Sequence, residues 1–189
     1  MTDPTAPERG RAHEDEKLDQ VLEMTFPASD PLPWIRDHAA RELYLDDLKV
    51  GDVFRSGSMT VSEDAIKTFA SHFDPQPFHL DPQAATASPF GGLAASGWHT
   101  AAISMRLIVD GGLKIAGGVL GFGGQISWPR ATRPGDVLTV QSEILEVTPS
   151  RSNPSRGAVT VRNITLNQRN EAVQVTEVKL LVPRRDAAG

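Results

Sequence analysis

Along this 189-residue chain the spacing of apolar residues changes character several times, and each change marks a different element. Residues 1–37 show little pattern. They mix dense charge with five of the 14 prolines, a composition that predicts an N-terminal arm whose opening stretch is disordered. Within it Leu18, Val21 and Leu22 fall at helical spacing, and the following FPASDPLPW reads as an extended segment carrying Trp34. A single domain is expected over residues 38–189. Gly51-Asp52 reads as a turn and residues 53–61 as a strand. Ser62, followed by Glu63 and Asp64, is a helix start: a capping hydroxyl with acids near the positive helix end. Ile66, Phe69, Ala70 and Phe73 then recur at i, i+3, i+4 and i+7, which gives this helix one apolar face. It must stop at Phe73 or Asp74, because Pro75 and Pro77 lack N–H groups and disfavour helix before them.

A second helical stretch, WHTAAISMRLIV at residues 98–109, is apolar on nearly every side, so burial on most sides is expected. Beyond it the period becomes two. Leu138, Val140 and Ile144 alternate with Thr139, Gln141 and Glu143, the pattern of a half-buried strand. Val159 and Val161 open another strand whose apolar phase switches to Ile164 and Leu166. After the turn-like NQRN, Val173 and Val175 switch in the same way to Val178, Leu180 and Val182. Paired switches of this kind predict β-bulges, which bend a sheet. The expected fold is therefore α+β, a curved antiparallel sheet wrapped round one long central helix.

Composition narrows the function more than the fold. With 39% hydrophobic and 23% charged residues the chain reads as an ordinary globular protein. A net charge of −5 points to neither a nucleic-acid nor a membrane partner. There is no cysteine, which excludes disulfides, thiolate metal sites and cysteine nucleophiles. The opening MTDPTAPERGRAHEDEK has no apolar run of the kind a secretory signal needs, and a cytoplasmic location is expected.

The stretch FDPQPFHLDP at residues 73–82 places Asp74 five residues before His79, with Pro75 and Pro77 between. Residues five apart diverge on a helix, so convergence requires an irregular loop, which the prolines favour. Such a carboxylate and imidazole could hold a water and exchange protons with it. The same residues also fit a plain turn carrying a surface histidine. Further on, FGGLAASGWHTAA leads through Ser96-Gly97 into the central helix. Small residues there would leave backbone N–H groups open at the positive helix end, a site for a developing oxyanion.

These segments, with ISWPRATRPGDVLTV and SRSNPSRGAVTV, resemble the MaoC-like dehydratases, the (R)-specific enoyl-CoA hydratase family, over residues 45–184. The resemblance implies a hotdog fold and water addition or removal across the 2,3 double bond of an acyl thioester. It implies catalytic roles for Asp74, His79 and Gly97, the last through its N–H. It also implies an acyl-CoA or acyl-carrier-protein substrate, a homodimer, and no cofactor or metal. Gln76, Pro77, Phe78, Ser96, Trp98, His99 and Arg130 are the expected substrate-binding residues. Two positions depart from the family pattern: Phe73 stands where a glycine is usual, and Gln76 where an asparagine is usual.

Rival readings come from the same residues. A hotdog thioesterase would cleave the thioester, but the spacing of Asp74 and His79 argues against it. A non-catalytic acyl-thioester-binding subunit would follow if Phe73 or Gln76 blocked the water site. His72 and His99 lack carboxylates at metal-ligand spacing beside them; His99 is expected either packed or near the substrate. Ser96 lacks the G-x-S-x-G elbow of a nucleophile, and Ser104 is expected to bond back to its own helix. Arg130 and Arg133 suit either a CoA phosphate or a structural role. GGVLGFGG has no G-K-[ST] and does not read as a phosphate loop.

Overall fold

The computed structural model of the protein describes residues 41–185. The expected N-terminal arm, with Leu18, Val21, Leu22 and Trp34, lies outside the described residues. A 3-10 turn at Leu45–Asp47 leads to β1 (Val53–Thr60), α1 (Glu63–Phe73), α2 (Pro77–Leu80), α3 (Pro82–Thr86) and α4 (Gly97–Gly111). Four strands follow: β2 (Leu120–Ser127), β3 (Val137–Pro149), β4 (Arg156–Leu166) and β5 (Ala172–Pro183). All five strands join one antiparallel sheet in the order β1-β3-β4-β5-β2. Ile103, Leu107 and Ile108 of α4 enter one core with Val140, Ile144, Val159, Val161 and Val182 of the sheet. Among the described residues no helix is long and apolar enough to cross a membrane.

The local signals act as their chemistry dictates. Ser62 Oγ accepts the Ala65 N–H at 3.1 Å and starts α1, which ends at Phe73 with Asp74 as its C-cap. Gly51 takes a φ of +86°, where glycine carries no Cβ penalty, and Asp52 ties the turn by accepting the Lys49 N–H at 2.9 Å. Ser104 Oγ donates to the Thr100 carbonyl of its own helix at 2.8 Å.

Three sequence expectations are corrected, and one element without a sequence signal is added. Residues 75–82 are not wholly irregular: α2 and α3 each begin with a proline at the first helical position, where a missing N–H costs nothing. The central helix is not buried almost all round. His99, Thr100, Ile103, Ser104, Leu107 and Ile108 face inward, whereas Trp98, Met105 and Val109 are exposed. The glycine-rich stretch before residue 128 is the edge strand β2, every residue of which is exposed, so no alternation marks it in the sequence. Finally, the phase switch in β4 is not a bulge. Gly157, Val159, Val161, Asn163 and Thr165 all face the core in unbroken alternation, and two inward positions are simply polar. The β4–β5 ladder does shift register, but beside the hairpin, between Thr165 and Leu166, where Val173 and Gln174 are both buried. Three further register shifts interrupt the ladders, at Arg55/Ser58, Gly121/Gly123 and Ile144/Glu146; bulges of this kind increase local twist.

Gly157 marks a close approach in this packing. A Cβ there would stand 2.7 Å from the Thr148 carbonyl oxygen and 2.5 Å from Leu45 Cδ2. Backbone cannot yield as a side-chain tip does, so Gly157→Ala is expected to lower unfolding stability by about 1–3 kcal/mol. Urea denaturation monitored by circular dichroism measures this; an unchanged midpoint would contradict the packing.

Candidate active site

The two prolines and the short helix α2 turn the chain so that His79 faces back toward Asp74. His79 Nε2 lies 3.4 Å from Asp74 Oδ2, and the imidazole is only 5% exposed. Its Nδ1 lies 2.8 Å from the Ala94 carbonyl oxygen. A carbonyl can only accept, so Nδ1 carries a proton and donates it there, which leaves Nε2 facing Asp74. That backbone acceptor has no residue signature, and sequence reading missed it. Asp74 Oδ1 accepts from Gln76 Nε2 at 2.7 Å, and the Ser96 hydroxyl also bonds the carboxylate. Partial burial pushes the Asp74 carboxyl up, but the hydrogen bonds from Ser96 and Gln76 outweigh it. The net result is a pKa below the ordinary carboxylate value.

The start of α4 stands in the same pocket. Ser96 is its N-cap and accepts the Trp98 N–H at 3.2 Å, while the Gly97 N–H has no partner among the described residues. A side chain cannot be added at Gly97, because its Cβ would lie 2.8 Å from Cε2 of the Trp128 indole. That indole is held by a 3.0 Å bond from Nε1 to Gln174 Oε1 and meets Trp98 edge-on at 5.5 Å. The pocket, about 360 Å³, is lined by Asp74, His79, Ser96, Gly97, Trp128 and Thr132 among others.

Of the remaining expected substrate contacts, Gln76, Phe78, Trp98 and Arg130 line this pocket. Pro77 does not; it sets the first position of α2. His99 does not either. It is buried against Phe69, rings stacked at 4.7 Å, and burial lowers its pKa. Its Nδ1 has no hydrogen-bond partner among the described residues. His72 is exposed, with Nδ1 2.8 Å from the Thr68 carbonyl. Among the described residues no three His, Asp or Glu side chains gather at metal-ligand distances.

Arg130 sits half-exposed at the rim, 3.9 Å from Glu171. Arg133 instead donates to the carbonyls of Phe90, Gly92 and Leu93 and so braces the loop before Ala94. Thr100, Thr132 and Phe90 also line the pocket and were not expected there. Only Thr100 carried a signal, lying one helical turn after Ser96.

The sequence model of the family described as "MaoC like domain" matches residues 48–167. A solved MaoC-like dehydratase from Rhodospirillum rubrum is 57% identical, with a TM-score of 0.75, over 76% of this chain and 98% of that one. The Bacillus subtilis (strain 168) protein "Uncharacterized protein YdeM" is 35% identical over 144 residues, 74% of this chain and 99% of its own. The unliganded R-hydratase PhaJ1 from Pseudomonas aeruginosa shares the fold at 24% identity and a TM-score of 0.60, over 76% of this chain and 88% of that one. The fold is thus the hotdog, and the chain belongs to the MaoC-like domain family.

Proposed function

We propose that this protein is a hydratase or dehydratase that adds water to, or removes it from, the 2,3 double bond of an acyl thioester. The observation that carries this reading is the placing of His79 Nε2, the Asp74 carboxylate and the unpartnered Gly97 N–H on one pocket. Asp74 and His79 hold a water, each accepting a hydrogen bond from it. Nε2 takes a proton as the water oxygen bonds to C3 of the enoyl group. The electron pair of the double bond moves onto the thioester oxygen, which the Gly97 N–H and the positive end of α4 stabilise. The imidazolium then returns the proton to C2, and the sum is one water added. Dehydration runs the same path in reverse. The substrate is an acyl-CoA or acyl-carrier-protein thioester.

Neither departure from the family pattern closes the site. Gln76 reaches Asp74 and braces it, and Phe73 is 76% exposed, turned to Phe69 at 5.0 Å. This weakens the case for a non-catalytic binding subunit. A homodimer belongs to the same reading. Trp98, Met105 and Val109 of α4, and Leu120, Phe122 and Ile126 of the edge strand β2, leave large apolar side chains in water that a second copy would cover.

With crotonyl-CoA, loss of enoyl absorbance is expected, and release of free thiol would indicate a thioesterase instead. Asp74→Asn and His79→Ala are each expected to lower turnover by about 10²–10⁴-fold while circular dichroism stays unchanged. Near-normal turnover in either would defeat the mechanism.

The lowered pKa of Asp74 has a consequence for stability. A depressed carboxylate stabilises the fold above its unfolded value near 3.9, and that contribution is lost as pH falls through the lower native value. The gap in unfolding midpoint between wild type and Asp74→Asn should stay level from pH 7 to 5 and narrow below about pH 4. A gap that widens on acidification would reverse the assignment. Light scattering tests the assembly: twice the 20.4 kDa chain mass is expected for wild type, and one chain mass for Met105→Glu combined with Phe122→Glu.

A further inference from the structure

The core is apolar at one end and polar at the other. Directly opposed residues of an antiparallel ladder share a face, so its ranks can be read across the strands. Ile144, Val161 and Val178 form one inward rank, Ser142, Asn163 and Thr176 the next, and Val140, Thr165 and Gln174 the one nearest Trp128. Each polar side chain of these ranks has a partner. Ser142 donates to Asn163 Oδ1 at 2.7 Å, Asn163 Nδ2 donates to Thr176 at 3.1 Å, and Gln174 accepts from Trp128. The helix matches this gradient. Thr100 and Ser104 occupy the first turns of α4, and Leu107 and Ile108 the later ones. Ser104 and Thr165 bond at 2.7 Å, and Thr100 donates to Thr132 at 2.9 Å.

Two of these groups reach the pocket. Thr100 and Thr132 both line it although each is only 2% exposed. Thr132 accepts from Thr100, and its own hydroxyl proton has no acceptor among the described residues. A buried donor left without a partner is costly, so a ligand oxygen placed there is favoured over a methyl group. Space acts in the same direction. At about 30 Å³ per water-sized group, the pocket of about 360 Å³ takes roughly a dozen non-hydrogen atoms. The thioester, C2, C3 and the reacting water use about half of that. A long chain would have to part the bonded hydroxyls of Thr100 and Thr132, which line the pocket.

We propose, resting on the hydratase reading above, that the substrate's acyl group is short and carries a hydrogen-bond-accepting oxygen near its far end, which Thr132 recognises. Thr132 is then a specificity residue and takes no part in the proton transfers.

The test compares kcat/KM for hydration of three thioesters: crotonyl-CoA, 4-hydroxycrotonyl-CoA and 2-octenoyl-CoA. The 4-hydroxy substrate is expected to exceed crotonyl-CoA by about tenfold, the worth of one good hydrogen bond, with 2-octenoyl-CoA the slowest. In Thr132→Val the ratio of the first two should fall to about one, because the hydroxyl that would donate to the substrate oxygen is lost. The Thr100 hydroxyl keeps the Ser96 carbonyl, 3.3 Å away, as an alternative acceptor, so the variant is expected to fold. If 2-octenoyl-CoA matched or exceeded the four-carbon thioesters, this inference would fall and the hydratase reading would stand. The same follows if Thr132→Val kept the wild-type ratio. Silence with all three thioesters, in folded protein, would overturn the hydratase reading and this inference with it.

Discussion

The indole of Trp128 lies so close to the first turn of α4 that only glycine fits at position 97. That approach joins the sheet to the helix. Trp128 follows the edge strand β2, is fixed by Gln174 on β5, and sets where the helix N-terminus can stand. It also keeps the Gly97 N–H on the pocket with no side chain of its own to cover it. Arg133 draws in the carbonyls at 90, 92 and 93, and the neighbouring Ala94 carbonyl sets the proton on His79 Nδ1. The polar geometry of the site thus depends on packing and backbone groups as much as on the Asp74 and His79 side chains.

The polar end of the core follows a different constraint. Buried hydroxyls and amides are tolerated only when paired, since each lost partner costs roughly 1–3 kcal/mol. Asn163 satisfies Ser142 on one side and Thr176 on the other, and Ser104 joins the helix to Thr165. Such a network rigidifies this end of the core. It also explains why the pattern of β4 misleads. Asn163 and Thr165 face inward, so the apolar residues Ile164 and Leu166 fall on the outer face and imitate a register slip.

What could be read from the chain alone was chemistry confined to a few neighbouring residues. The Ser62 cap, the stop before Pro75, the glycine turn at Gly51 and the alternation of β3 all act within a turn or a strand. Asp74 and His79 were legible for the same reason, since prolines restrict a short segment wherever it folds. The edge strand β2 was not legible. Paired on one side and exposed throughout, it has no alternation, and its glycines answer to β5: a Cβ at Gly124 would meet the Glu177 carbonyl oxygen at 2.5 Å. His99 shows the opposite limit. Its position beside Gly97 suited a substrate contact, yet helical geometry turned it onto Phe69, because residues two apart on a helix point to different faces.

The sequence by itself therefore determined the capped helix α1, the strand β3, the approach of Asp74 to His79 and the glycine at the start of α4. Each depends on local backbone restraint or on the period of burial. Only the tertiary structure decided the Nδ1 proton of His79, the roof over Gly97 and the hydroxyl pair at Thr132. Those depend on groups 15, 31 and 32 residues apart, brought together by the packing of helix on sheet, a separation no local pattern encodes.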